Sequence, residues 1–159
     1  MASRSFARYA SGFTLLELMV AVAIVALLVS LAGPGMSGLV AAQRVRTMAA
    51  DFHRELLRTR SEAIKRNVSV TLSPLGSDWA AGWSILDPLT PSGPVLDTRA
   101  GSSGVSVSTT LDQVVYRASG RITAVASPTF VFSSPSTSET RCVAIDPSGR
   151  PYAKRGSSC

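Results

Sequence analysis

A chain of 159 residues with a formal charge of +6 leaves, once an N-terminal apolar run is set aside, about 120 residues for water, which suits one small domain. The 45% hydrophobic content is concentrated in that run, so composition asks for a membrane segment rather than an unusually apolar core. The basicity is local too. It sits in Arg4 and Arg8, in Arg44 to Arg66 and in Arg141 to Arg155 around a mildly acidic middle, so any polyanion, membrane lipid included, is directed to the helix or the tail.

Residues Met1 to Gly12 carry two arginines and no acid, and from Phe13 to Leu31 the only charge is Glu17. As a helix rising ~1.5 Å per residue this run covers about 28 Å, close to the ~30 Å of hydrocarbon in a bilayer. The upstream arginines keep the leader in the cytoplasm and direct the rest outward. A secretory signal peptide competes, but its apolar core is shorter, and Pro34 is an awkward residue beside a signal-peptidase cut. A plain signal anchor explains everything except Glu17 and the Gly12-Phe13 junction. A carboxylate in an apolar span costs several kcal/mol unless it is neutralised or paired. A cut between Gly12 and Phe13 would place a new α-amine one helical turn from Glu17, and the amine of a neighbouring subunit could meet that carboxylate in a low-dielectric bundle.

The string Gly12-Phe13-Thr14-Leu15-Leu16-Glu17-Leu18-Met19-Val20 resembles the cleavage and assembly motif of type IV prepilins and type II secretion pseudopilins. The resemblance implies a leader of residues 1–12 removed by a prepilin peptidase and N-methylation of the Phe13 amine. It also implies contact between Glu17 and the Phe13 amine of an adjacent subunit. The chain is then expected in the bacterial inner membrane, single-pass with a periplasmic head, and afterwards in a pilus or pseudopilus filament, with other pilins or pseudopilins as partners.

Beyond the span, Gly33, Pro34 and Gly35 predict a kink or a melted turn, because proline removes a helical hydrogen bond and clashes with the preceding turn. The anchor segment is taken as residues 13–38 and the head as 39–159. Gly33 to Gly38 matches GxGxxG formally, but it follows a membrane helix and opens no βαβ unit. From 39 to 66 the pattern turns amphipathic, with Val45, Met48, Ala49, Phe52, Leu56, Ala63 and in part Ile64 on one face. The other face carries cations and acids, read as a solvated surface with pairs such as Arg58-Glu62 and Glu62-Arg66. After Asn67 the texture becomes β-rich through residue 159. Strands are predicted at Val68-Leu72, Gly82-Leu86, Val105-Thr109, Gln113-Arg117, Thr129-Ser133 and Cys142-Ile145, and a loop at 87–104.

Cys142 and Cys159, the only cysteines, are predicted to close one disulfide in an oxidising compartment, worth roughly 3 kcal/mol by chain entropy. No enzyme assembles from these residues. His53 is the only histidine, sits mid-helix beside Arg54 and makes a poor general base or metal ligand, and the serines lack a nucleophile motif. No metal or other cofactor is expected, and the Asn67-Val68-Ser69 sequon is read as coincidence.

Residues Arg60 to Asn67, then Trp79 and Gly82-Trp83, then Phe130-Val131-Phe132 and a closing Gly149-Arg150 resemble the H-type pseudopilin and minor pilin family, which joins secretion protein H to minor pilins of the FimT and FimU kind. This implies an α+β, pilin-like fold, a long N-terminal hydrophobic helix packed on small antiparallel sheets, and a place in the filament near its tip. Some members of the FimT kind are DNA receptors with a basic C-terminal GRxR motif. Here the motif begins at Gly149-Arg150, but Tyr152 stands where the second arginine belongs, so Lys154 or Arg155 would have to substitute. Arg150, Tyr152, Lys154 and Arg155 are therefore the candidate DNA-contacting residues, in a loop that the disulfide would hold rigid.

Overall fold

The computed structural model describes residues 13–89, 95–124 and 126–159, with the backbone alone given for 31–35. A long α-helix, α1, runs Leu15–Arg66, and the chain divides into two compact units between Met36 and Ser37. The helical assignment continues through Gly33, Pro34 and Gly35, so no melted turn stands there. A proline withholds only its own N–H from the ladder, and a helix that is regular on both sides tolerates one missing bond.

The C-terminal end of α1 is closed by Asn67, the one non-glycine residue among those described with positive φ (55°). Asn67 N–H donates to Ile64 O at 3.3 Å and Val68 N–H to Ala63 O at 3.3 Å, the paired hydrogen bonds of a Schellman motif. A conformational duty thus accounts for the asparagine of the sequon.

Among the described residues eight strands follow: β1 Val70–Pro74, β2 Gly82–Leu86, β3 Asp97–Ala100, β4 Ser106–Ser108, β5 Val114–Tyr116, β6 Thr129–Ser134, β7 Thr137–Ile145 and β8 Pro151–Arg155. They form two four-stranded sheets, β3-β2-β1-β5 and β4-β6-β7-β8, in which every pairing is antiparallel. The loop expected over 87–104 contains β3, and the loop expected in the tail is largely β8. Both are edge strands. The half-exposed Asp97–Ala100 and the Pro-led, basic Pro151–Arg155 lack the apolar alternation that marks a strand covered on one face.

The core is organised by one residue of the helix. Phe52, fully buried, places its ring 5.4 Å from Trp79, 5.0 Å from Trp83, 4.6 Å from Phe130 and 5.5 Å from Phe132. Trp83 lies on β2 and the two phenylalanines on β6, so a single side chain joins both sheets to the helix. Val45, Met48, Ala49, Leu56 and Ala63 bury the same stripe, while Ile64 is half exposed. The tryptophans and phenylalanines that carried the resemblance are core residues.

Candidate functional site

The N-terminal part of α1 has no apolar face of its own. Its large side chains from Phe13 to Val29 are exposed on every side, from 52% at Val20 to 78% at Phe13 and Leu15, and a helix that is apolar all round requires an apolar environment or partner helices. Between Leu15 and Ser30, at ~1.5 Å per residue, it measures about 24 Å, short of the ~30 Å hydrocarbon layer. Among the described residues no helix is by itself long and apolar enough to cross a membrane, since the expected span to Leu31 reaches residues whose side chains are not described. Gly12 likewise lies outside the described residues.

Thr14 caps this helix. Its Oγ1 accepts the Glu17 N–H at 3.2 Å and its carbonyl accepts the Leu18 N–H at 3.2 Å, which puts Glu17 at the third helical position, the signature spacing of a capping box. A carboxylate in the first turn also complements the positive end of the helix dipole. Glu17 therefore has a local reason for its place besides any contact with another subunit. The Thr-x-x-Glu spacing held that signal.

The cations of the helix do more than coat it. Arg46 reaches Glu139 of β7 at 2.9 Å, Arg66 meets Glu62 at 2.9 Å and Asp87 at 3.5 Å, and Arg54 and Arg99 share Asp51. Arg58 pairs with Asp97 of β3 rather than with Glu62, because β3 brings a carboxylate to its flank. Glu139 also accepts from Arg141 at 2.8 Å, and the hydrogen bond from Arg46, ahead of that from Arg141, holds its carboxyl down at about 2. His53 Nε2 lies 3.2 Å from Pro151 O, fastening the helix to β8.

The tail residues do not form one surface. Cys142 and Cys159 are joined in a disulfide. On β8, Tyr152 and Lys154 share a face, with Lys154 Nζ 5.5 Å from the Tyr152 ring and donating to Cys159 O at 2.7 Å. Arg155 alternates to the opposite face, beside Arg141. Arg150 lies in the turn before the strand, 3.7 Å from Asp146.

That turn explains the closing Gly-Arg pair. Gly149 has φ 84°, and a Cβ there would lie 2.1 Å from Gly120 O, so only glycine allows the Asp146–Arg150 turn to stack on the Arg117–Arg121 turn. Arg60 ties both to the helix through Gly120 O at 2.9 Å and Ser148 O at 3.4 Å. Sequence reading gave Arg117, Gly120 and Arg121 no role and took Arg60 only as the start of a motif, since residue 60, residues 117–121 and residues 146–150 are far apart along the chain. Tyr116 is buried beneath with its hydroxyl unpartnered, and burial pushes its pKa upward.

Among the described residues no group of three or more His, Cys, Asp or Glu side chains is arranged to hold a metal ion. A cleft of about 370 Å³ beside Trp83 includes Arg44, Asp51 and Arg99 in its wall, and Asp51 there is already shared by two arginines.

Comparison with known proteins supplies the remaining observations. The family model described as type II transport protein GspH matches residues 48–149, and the prokaryotic N-terminal methylation motif matches residues 7–33. No curated protein sequence matches. Among solved structures, the type IV minor pilin FimU of Pseudomonas aeruginosa is similar with a TM-score of 0.61 at 22% identity, covering 72% of this chain and 98% of that one. The minor pseudopilin EpsH of the Vibrio cholerae type 2 secretion system is similar with a TM-score of 0.57 at 15% identity, covering 70% and 97%.

Proposed function

From the premise that the chain belongs to the type II transport protein GspH family, and is thus a pilin- or pseudopilin-type subunit of a type IV pilus or type II secretion system, we propose how it is made and used. Residues 13–38 anchor it in the bacterial inner membrane with the head in the periplasm. Prepilin peptidase cuts between Gly12 and Phe13, the new amine is methylated, and the subunit enters a filament near its tip.

The observation that carries this reading is the helix surface from Phe13 to Val29, apolar on all sides and exposed. Such a surface is covered first by lipid and then by the helices of other subunits, where close packing replaces the hydrophobic drive. Glu17 gives the exchange its register. Its carboxylate costs several kcal/mol in lipid, and in the filament the Phe13 amine of a neighbour neutralises it. The Thr14 cap supports the reading by fixing the turn that carries Glu17.

The nucleic-acid alternative rests on Arg150, Tyr152, Lys154 and Arg155, which the strand distributes over two faces and one turn. Assembly is accordingly the function concluded. The test is the full chain carrying Glu17→Ala in its native host. The variant is expected in the membrane fraction but absent from sheared filaments, and mass spectrometry of the wild type should find Phe13 at the N-terminus, methylated. Wild-type recovery of the variant in filaments would remove the mechanism.

A further inference from the structure

Two stacked turns of the head carry three exposed arginines, Arg117, Arg121 and Arg150, and one carboxylate, Asp146. In the first, Arg117 N–H donates to Arg121 O at 2.8 Å and Gly120 N–H to Arg117 O at 2.8 Å, so Arg117 and Arg121 face each other across a tight hairpin. Cross-strand neighbours of this kind have Cβ atoms roughly 5 Å apart, and like charges there are destabilising. In the second turn, Asp146 N–H donates to Arg150 O at 3.0 Å and Gly149 N–H to Asp146 O at 2.9 Å. The Cβ that Gly149 lacks would lie 3.0 Å from Arg121 Cα. Arg60 spends its own donors on carbonyls of both turns and holds them together.

Within the described residues only Asp146, 3.7 Å from Arg150, offsets any of these charges. The side chains of Arg117 and Arg121 have no hydrogen-bond or ion-pair partner among those residues. Asp146, the one acid in the two turns, already accepts at a single oxygen from Ser148 N–H at 2.9 Å, Ser148 Oγ at 2.6 Å and Arg150 N–H at 2.9 Å. By contrast Arg46, Arg54, Arg58, Arg66, Arg99 and Arg141 each meet a carboxylate of the head.

We propose that these turns dock an acidic patch on a neighbouring filament subunit, whose carboxylates are received by Arg117, Arg121 and Arg150. This rests on the assembly reading above. Guanidinium groups donate two parallel hydrogen bonds to a carboxylate and fix orientation as well as proximity, so the contact sets the rotation of the head against its neighbour while the N-terminal helix sets axial register. A phosphodiester partner fits less well. It would need a track of cations, and those next along the chain are engaged or turned away, Lys154 by Cys159 O and Arg155 by the alternation of β8.

The experiment uses the full chain in its native host with R117E/R121E, and the neutral R117Q/R121Q as a second variant. Both residues are exposed, so membrane abundance should match wild type, and the unfolding midpoint of the detergent-solubilised chain should be no lower than wild type, rising slightly for the glutamines as the like-charge pair is removed. Recovery in sheared filaments should fall by about tenfold or more for the glutamates and less for the glutamines, as expected for loss or inversion of a charge pair at an interface. Wild-type recovery of R117E/R121E overturns the docking site. So does wild-type recovery accompanied by loss of a gel shift on a duplex DNA probe, which hands the arginines to phosphate. Glu17→Ala judges the assembly reading separately, since its absence from filaments combined with normal recovery of R117E/R121E sinks the docking site alone.

Discussion

The two ends of α1 share a backbone and differ in everything that surrounds it. Between Phe13 and Val29 the apolar side chains are exposed around the whole circumference, whereas Val45, Met48, Ala49, Phe52, Leu56 and Ala63 form one stripe buried to a few per cent or less. The first pattern leaves the helix dependent on a medium or partner outside the chain, and the second supplies the wall of the chain's own core. The difference separates two kinds of loss. Substitutions in the first region should alter assembly without altering the head, and substitutions in the second should unfold the head whatever becomes of assembly.

The largest expected effect tests that division at Phe52. Its ring contacts aromatic residues from both sheets, and truncation leaves a cavity that the surrounding rings cannot fill. Phe52→Ala should cost about 3–5 kcal/mol, a large share of the stability of a domain this size. Ile24→Ser, in the exposed region, should leave the head's unfolding midpoint unchanged by near-ultraviolet circular dichroism. Equal midpoints for wild type and Phe52→Ala would break the comparison.

The disulfide comes next. Cys142 lies on β7 and Cys159 seventeen residues on, so the bond closes a loop that includes β8 and the Asp146–Arg150 turn. Cys142→Ser/Cys159→Ser should lower stability by roughly 3 kcal/mol on the chain-entropy account, read as the shift in a urea midpoint. A fall confined to β8 in hydrogen exchange, with β1 and β2 still protected, would sharpen the picture by making the tail a separately opening unit.

How much of this was legible depended on how local the chemistry was. The N-terminal methylation motif lies in one short run, matched over residues 7–33, and the stripe through Val45, Phe52 and Leu56 repeats at helical spacing, so both could be read directly. The strand Gly82–Leu86 was bounded correctly because its burial is nearly complete. Strands β3 and β8 went unread because edge strands need no apolar alternation. Arg58 was assigned to Glu62 when its partner, Asp97, sits on one of those unread strands. The tail residues were grouped by sequence proximity, whereas strand alternation separates them and stacked glycine turns bring Arg150 to Arg121. No period or spacing encodes a contact between residues 120 and 149, so that end of the head becomes visible only in three dimensions.

The smallest predicted effect concerns the link between the buried half of the helix and β7. Glu139 receives hydrogen bonds from Arg46 at 2.9 Å and Arg141 at 2.8 Å, and its pKa falls from the ordinary 4.5 to about 2. A carboxylate whose folded pKa lies below its unfolded value stabilises the folded state above the unfolded pKa and loses that contribution as protons bind the folded form. The stabilisation from Glu139 should therefore be complete above its unfolded pKa of 4.5 and should drain away as the pH falls through 2. Glu139→Gln removes the charge at every pH. The difference in unfolding midpoint between wild type and Glu139→Gln should be modest near neutrality, constant down to about pH 5, and should close toward pH 2. A gap that widened on acidification would mean that Arg46 and Arg141 do not hold this carboxylate, and would detach the helix from β7 at the point where the buried stripe begins.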